Sequence, residues 1–308
     1  MDRPIKKLSQ IPQYVIGLKR RYRTAIVAPE DSHTLEAVIQ ACYDGFVYPI
    51  LIGNSAIISV LLPASFVNGD AQFDIVECLD KAKAAKLAVG MVKRGEADIV
   101  MKGLIATDLL LKAVLDKKNG LMKPDGVLSY VCAVELPAYP KLLFVTDPAV
   151  LPFPSLPQKV AMANYAIEMA HRMGITKPKV ALIGASEKVS PHFPNSQEYE
   201  IMCAMAQRGE LENCIMDGPL DLFLACDPSS LEVKGSHTPV AGDADILLFP
   251  SLEASNPFYK SLMLFAGGEL AGLISGTTHP VVVMSRSDSF ITKYYCLALA
   301  CLMVKSTC

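Results

Sequence analysis

The chain has 308 residues, 51% hydrophobic and 19% charged, with a formal net charge of −2 and a pI near 6.2. That composition supplies a large core and excludes a disordered chain; no Lys/Arg run is long enough to serve as the basic arm of a general nucleic-acid binder. Nine Cys without a C-x-x-C pair and five scattered His without an H-E-x-x-H arrangement exclude a disulfide frame and give no metal-ligand spacing, so reduced thiols and no metal are expected.

The chain opens on Met1-Asp2-Arg3-Pro4, which has no apolar signal region. Lys19-Arg20-Arg21-Tyr22-Arg23 is the densest basic cluster and reads as a solvated lead-in to the first strand. Patterning then predicts a strand at 24–28, a helix at 33–45, strands at 49–52 and 73–76, a helix at 80–94, a strand at 97–101 and a helix at 107–117. Strands at 130–134 and 142–145, a helix at 156–173, a strand at 179–183 and a helix at 196–208 follow. Strands at 214–216 and 244–249, a helix at 256–265, a strand at 280–284 and a helix at 289–304 complete the series. The apolar stretch 294–304 is too short to span a bilayer, so a cytoplasmic protein is expected.

Val/Ile/Leu runs without clean alternation suit strands covered on both faces, and the alternation of strand and helix predicts an α/β fold with mostly parallel sheets. Gly95-Glu96-Ala97-Asp98-Ile99 recurs as Gly242-Asp243-Ala244-Asp245-Ile246, and the strand at 24–28 is echoed at 179–183, so two α/β halves of similar plan are expected. Prolines crowd 137–157, where a joint fits. The expected domains are 1–138 with 285–308, and 139–284.

Several strand ends carry chemistry. Val281–Met284 runs into Ser285-Arg286-Ser287-Asp288-Ser289 and then a helix. Hydroxyls, a guanidinium fork and the free N–H groups of a helix start suit an oxyanion, with Asp288 placed for proton transfer. The plainer reading is a helix cap, Ser287 or Asp288, beside a surface Arg. Lys102-Gly103 ends a strand, Thr107 suits a helix cap, and Lys112 follows near the face of Asp108; the alternative is an ordinary junction with a solvated Lys. Ser186 after Gly184 offers a hydroxyl to a ligand or makes a simple turn, and Asp147 before Pro148 is a cleft carboxylate or a turn cap. Asp217–Asp221 reads as a turn opening a helix, and Ser251 and Ser255 resemble the Thr107 junction. There is no G-x-G-x-x-G fingerprint and no P-loop.

Taken together, residues 95–115, 179–187, 217–227, 241–260 and 281–289 resemble the phosphate acetyl/butyryltransferase family. The Ser-Arg-Ser-Asp-Ser form, Lys102-Gly103 and Lys112 look more like its butyryl branch. The resemblance implies reversible acyl transfer between coenzyme A and inorganic phosphate by direct attack in a ternary complex. The coenzyme A thioester is then substrate, with no resident cofactor. It also implies two three-layer αβα domains akin to isocitrate and isopropylmalate dehydrogenases with a cleft between them, and a homo-oligomer. By the same resemblance Ser285 and Arg286 act at the reacting centre, while Thr107 and Lys112 contact phosphate. Thr292 stands where acetyl enzymes carry a proposed Asp base, and Asp288 is the substitute here. Lys102, Asp147 and Ser186 complete the expected binding set. The alternatives are acetyl specificity or an NAD-dependent decarboxylating oxidoreductase of similar fold, for which no matching Asp spacing is present.

Overall fold

Eleven strands among the described residues hold much of the buried aliphatic core: β1 (Tyr22–Val27), β2 (Val47–Gly53), β3 (Asp74–Glu77), β4 (Ile99–Lys102), β5 (Ser129–Glu135), β6 (Leu143–Thr146), β7 (Lys179–Ile183), β8 (Ile215–Leu220), β9 (Ile246–Leu248), β10 (Glu269–Ser275) and β11 (Val281–Val282). This is a computed structural model that describes residues 3–211, 213–285 and 288–305. The chain divides into two compact units, one of Ser9–Gly126 with Leu270–Cys308 and one of Met1–Leu8 with Val127–Glu269. The sequence-based boundaries fell at 138/139 and 284/285; contacts change over at 126/127 and 269/270 instead, so β5 goes with the second unit and β11 with the first.

In the first unit the strand order is β3-β2-β1-β4-β11-β10, parallel except for the β10–β11 pair. The chain steps outward from β1 to β2 to β3 and then returns to β4 on the far side of β1. Such crossovers are almost always right-handed, so this reversal puts helix Ser32–Tyr43 on one face of the sheet and helix Lys81–Lys93 on the other. The packing agrees: helix Phe290–Met303 lies against Ser32–Tyr43 and Gln10–Gly17, while Lys81–Lys93 lies against Thr107–Val114. Residues 293–302 of helix Phe290–Met303 are all buried, as a helix apolar on every side requires.

The second unit repeats the plan with order β5-β6-β9-β7-β8, parallel except for β5–β6. The internal echo in sequence has a common structural cause. Gly95 and Gly242 turn the chain at positive φ (+74° and +65°). The Asp three residues later then accepts a backbone N–H at the start of a neighbouring strand: Asp98 from Arg23 and Asp245 from Lys179, both at 2.8 Å. Each Asp returns its own N–H to that residue's carbonyl, at 2.7 and 2.9 Å. One sequence phrase thus fixes the start of a strand pair in each unit.

Some elements differ from expectation. Helix Leu252–Phe265 begins four residues before the predicted start, with Pro257 inside it; Pro257 reads in sequence as a first-turn residue, but the Ser251 hydroxyl caps the helix earlier by accepting from Ala254 N–H. Helices Gln10–Gly17, Ser55–Leu61, Ala64–Val67 and Pro228–Lys234 and strand β10 were not anticipated, whereas the helix expected after the Asp217–Asp221 turn is present at Leu222–Cys226.

Candidate active site

Three adjacent parallel strands, β1, β4 and β11, end side by side in the first unit. The register sets Lys102 level with Val27, one step beyond the Met101–Val282 pair. This is also where the strand order reverses, the position at which open α/β sheets bind ligands outside their carboxyl ends. Gly103 makes the close approach feasible. Its N–H donates to Val27 O at 2.8 Å, and a Cβ there would lie 2.3 Å from Ala28 O. Ala28 itself takes a positive φ of +52°, a strained conformation for a residue with a Cβ.

Around these ends Asp31, Thr34, Lys102, Gly103, Leu104, Met284, Ser285 and Lys293 line a cavity of about 120 Å³. Lys102 is buried, and its ammonium makes long contacts to the carbonyls of Met284 (3.3 Å) and Gly103 (3.4 Å). Lys293, also buried, lies 3.4 Å from Asp31. Asp31 caps helix Ser32–Tyr43 by accepting from Thr34 N–H at 2.8 Å. Burial pushes the Asp31 carboxyl up, but the Thr34 bonds and the Lys293 charge outweigh it and hold the group below its usual range. Asp288 accepts the backbone N–H of Ser285 at 2.8 Å. Here burial dominates and raises the carboxyl above its ordinary range, against the Ser285 N–H and the Lys293 and Lys102 charges. The corner therefore combines two desolvated cations, an exposed Ser285 and a half-buried carboxyl poised to take or give a proton.

Residues 67–301 match the family described as phosphate acetyl/butaryl transferase. The chain is 38% identical over 278 residues to a phosphate acetyltransferase of Thermotoga maritima, covering 90% of this chain and 94% of that protein. It is 37% identical over 300 residues to a phosphate butyryltransferase of Clostridium acetobutylicum, covering 97% and 98%. The crystal structure of a branched-chain phosphotransacylase from Enterococcus faecalis V583 superposes with a TM-score of 0.79 at 31% identity, over 92% of this chain and 99% of that one. The chain belongs to the phosphate acetyl/butyryltransferase family. It is accordingly a phosphate acyltransferase with the family's mixed α/β fold and mostly parallel sheet.

Against that family, the structure brings Ser285, Asp288 and Lys102 to one corner; Arg286 lies outside the described residues. Ser287 also lies outside the described residues, and Asp288 is not the helix cap. Ser289 is, with its hydroxyl 3.2 Å from Thr292 N–H and 3.0 Å from the Thr292 hydroxyl. Thr292 is thus engaged in the cap. Thr107 does not cap its helix: Ala106 is the N-cap, without a side-chain bond, and Thr107 is the exposed first helical residue. Lys112 is exposed in the last turn of that helix, and five residues at 100° each set it about 140° around the axis from Thr107.

Asp147 and Ser186 belong to the second unit. The structure gives Asp147 the turn-capping role. Its buried carboxylate accepts from Ser129 Oγ and from the N–H groups of Tyr130, Ala149, Val150 and Leu151, at 2.9 to 3.3 Å. A carboxylate with that many donors knits β5, β6 and the following turn together. The Ser186 hydroxyl accepts Lys188 N–H at 3.2 Å within its own turn. Sequence reasoning missed Asp31, Thr34 and Lys293. The signal for Lys293 was present: one Lys stands inside the otherwise apolar helix Phe290–Met303.

Proposed function

We propose that this enzyme transfers a short acyl group reversibly between coenzyme A and inorganic phosphate, with butyryl preferred over acetyl. The observation that carries the reading is the pair of buried lysines, Lys102 and Lys293, facing one small cavity with Ser285 at the ends of three parallel strands. Such donors suit a multiply charged oxyanion in a partly dry site, where each charge counts for more than in water. The butyryl preference rests on the resemblance of Ser285–Ser289, Lys102-Gly103 and Lys112 to that branch.

In the proposed mechanism a phosphate oxygen attacks the thioester carbonyl in a ternary complex. Negative charge grows on the carbonyl oxygen, the C–S bond breaks and the thiolate leaves. Ser285 and Arg286 stabilise the developing oxyanion, and Lys102 holds charge beside it. Asp288 protonates the leaving thiolate and, in reverse, takes the proton of the attacking thiol. Thr107 and Lys112 supply further phosphate contacts, and Asp147 and Ser186 enter only through the frame of the second unit. Holding both substrates together removes much of the entropic barrier. No resident cofactor takes part. We also take the enzyme to be a cytoplasmic homo-oligomer; among the described residues no helix is long and apolar enough to cross a membrane. The dehydrogenase-like classification of the fold belongs to the same reading and is supported by parallel strands with helices on both faces.

Two measurements test this. A thioester panel from acetyl to hexanoyl, assayed for phosphate-dependent release of free thiol, will show maximal kcat/KM at butyryl; a panel with no release rejects the reading. Because the Asp288 carboxyl is raised, its basic form accumulates at higher pH than an ordinary carboxylate's. The rate of acyl-CoA formation from acyl phosphate will therefore climb with pH through that raised range, and Asp288→Asn will abolish that limb and slow turnover by about 10²-fold or more. An unchanged profile removes Asp288 as the base.

A further inference from the structure

Lys293 is an expensive residue where it stands. It occupies the first full turn of helix Phe290–Met303, with its backbone N–H reaching Ser289 O at 3.1 Å. A cation there opposes the helix dipole, which favours anions at that end. Its side chain is 4% exposed, so the ammonium has lost its water. An ammonium offers three donors. Among the described residues its polar contact is Asp31 at 3.4 Å, beyond good hydrogen-bond length, with Asp288 acting on it as a charge at longer range. Asp31 meanwhile spends its best geometry on Thr34. Lys293 lines the cavity. A buried cation with unspent donors beside a cavity costs stability unless something negative completes it.

We infer that Lys293 is a substrate-binding residue that receives the tetrahedral oxyanion, inorganic phosphate or the phosphoryl group of the acyl phosphate, with Lys102 lining the same cavity. The inference rests on the acyl-transfer reading for the name of the anion, though not for its existence. The cavity of about 120 Å³ equals roughly four water volumes, the size class of one oxyanion and far below that of coenzyme A. Asp31 is the resident counter-charge. It holds the ammonium in place when the site is empty and competes mildly with the incoming anion.

The test pairs equilibrium binding with kinetics. Phosphate will raise the thermal unfolding midpoint of the parent, and Lys293→Met will lose most of that shift. In the acyl-CoA to acyl phosphate direction the same variant will raise KM for phosphate by roughly ten- to a hundredfold, the loss of one charge-assisted hydrogen bond, while KM for butyryl-CoA changes less than about twofold. A parent that transfers acyl groups, with a Lys293→Met variant retaining parental phosphate protection and KM, overturns the inference and leaves the function standing. A parent without acyl transfer whose phosphate protection nonetheless vanishes in Lys293→Met keeps the anion site and removes the reaction. Should Lys293→Met fail to fold, Asp31→Asn decides: Asn preserves the helix cap, and removing the competing charge will tighten phosphate binding severalfold. Unchanged phosphate affinity in Asp31→Asn overturns the proposal.

Discussion

Replacing Lys102 with Met will lower kcat/KM for butyryl-CoA and phosphate by about 10²- to 10³-fold, with little change in the thermal unfolding midpoint. Met keeps most of the length and apolar packing of the stem and deletes only the charge. The ammonium lies 6% exposed at the end of β4, between the Met284 and Gly103 carbonyls, so it is held in place before substrate arrives. A preoriented donor aimed at growing negative charge is worth a few kcal/mol in a water-poor site. Thiol-release kinetics alongside calorimetry separate the two quantities. Near-parental turnover would mean that the Lys102 charge does not face the reacting atoms.

Gly103→Ala will cost about 3–5 kcal/mol of stability, from a clash of one to three plus two weakened hydrogen bonds. The added Cβ would stand 2.3 Å from Ala28 O and 2.7 Å from Val27 O, both backbone atoms with no rotamer to escape into. Those carbonyls accept from Leu104 and Gly103 N–H, so relieving the clash parts the ends of β1 and β4. The unfolding midpoint will fall on the order of ten degrees. Activity will fall further than folding alone explains, because Lys102 is the neighbouring residue. A parental midpoint by calorimetry would contradict the close approach of the two strands.

The fold class was legible because buried strands and amphipathic helices write their periods locally, and the repeated Gly-x-Ala-Asp-Ile phrase marked the two similar halves. β10 escaped notice for a tertiary reason. Its Ala271-Gly272 centre looks unlike a strand, yet Gly272 lets its N–H approach Cys296 Sγ at 3.3 Å. Helix Leu222–Cys226 was signalled by the Asp221 turn, whereas Pro228–Lys234 escaped because its Asp227 cap reads equally well as a turn. In the site, the strand-end signals at Lys102, Ser285 and Asp288 were readable as motifs. The Asp31–Lys293 pair was not, since 262 residues separate its members and neither sits in a recognisable phrase. Asp147 shows the converse difficulty. An Asp before Pro at a strand end looks alike whether it serves a ligand or a turn, and only the count of its donors decides.

The split of the first unit across the chain has a consequence for biogenesis. β4 leaves the ribosome with residue 102, but its second neighbour, β11, begins at residue 281. At typical synthesis speeds the intervening stretch takes on the order of ten seconds or more. For that interval β4 is an open edge of Ile-Val-Met, the kind of template on which nascent chains stick to one another. The segment that carries β11, made well after β4, therefore also closes the aggregation hazard.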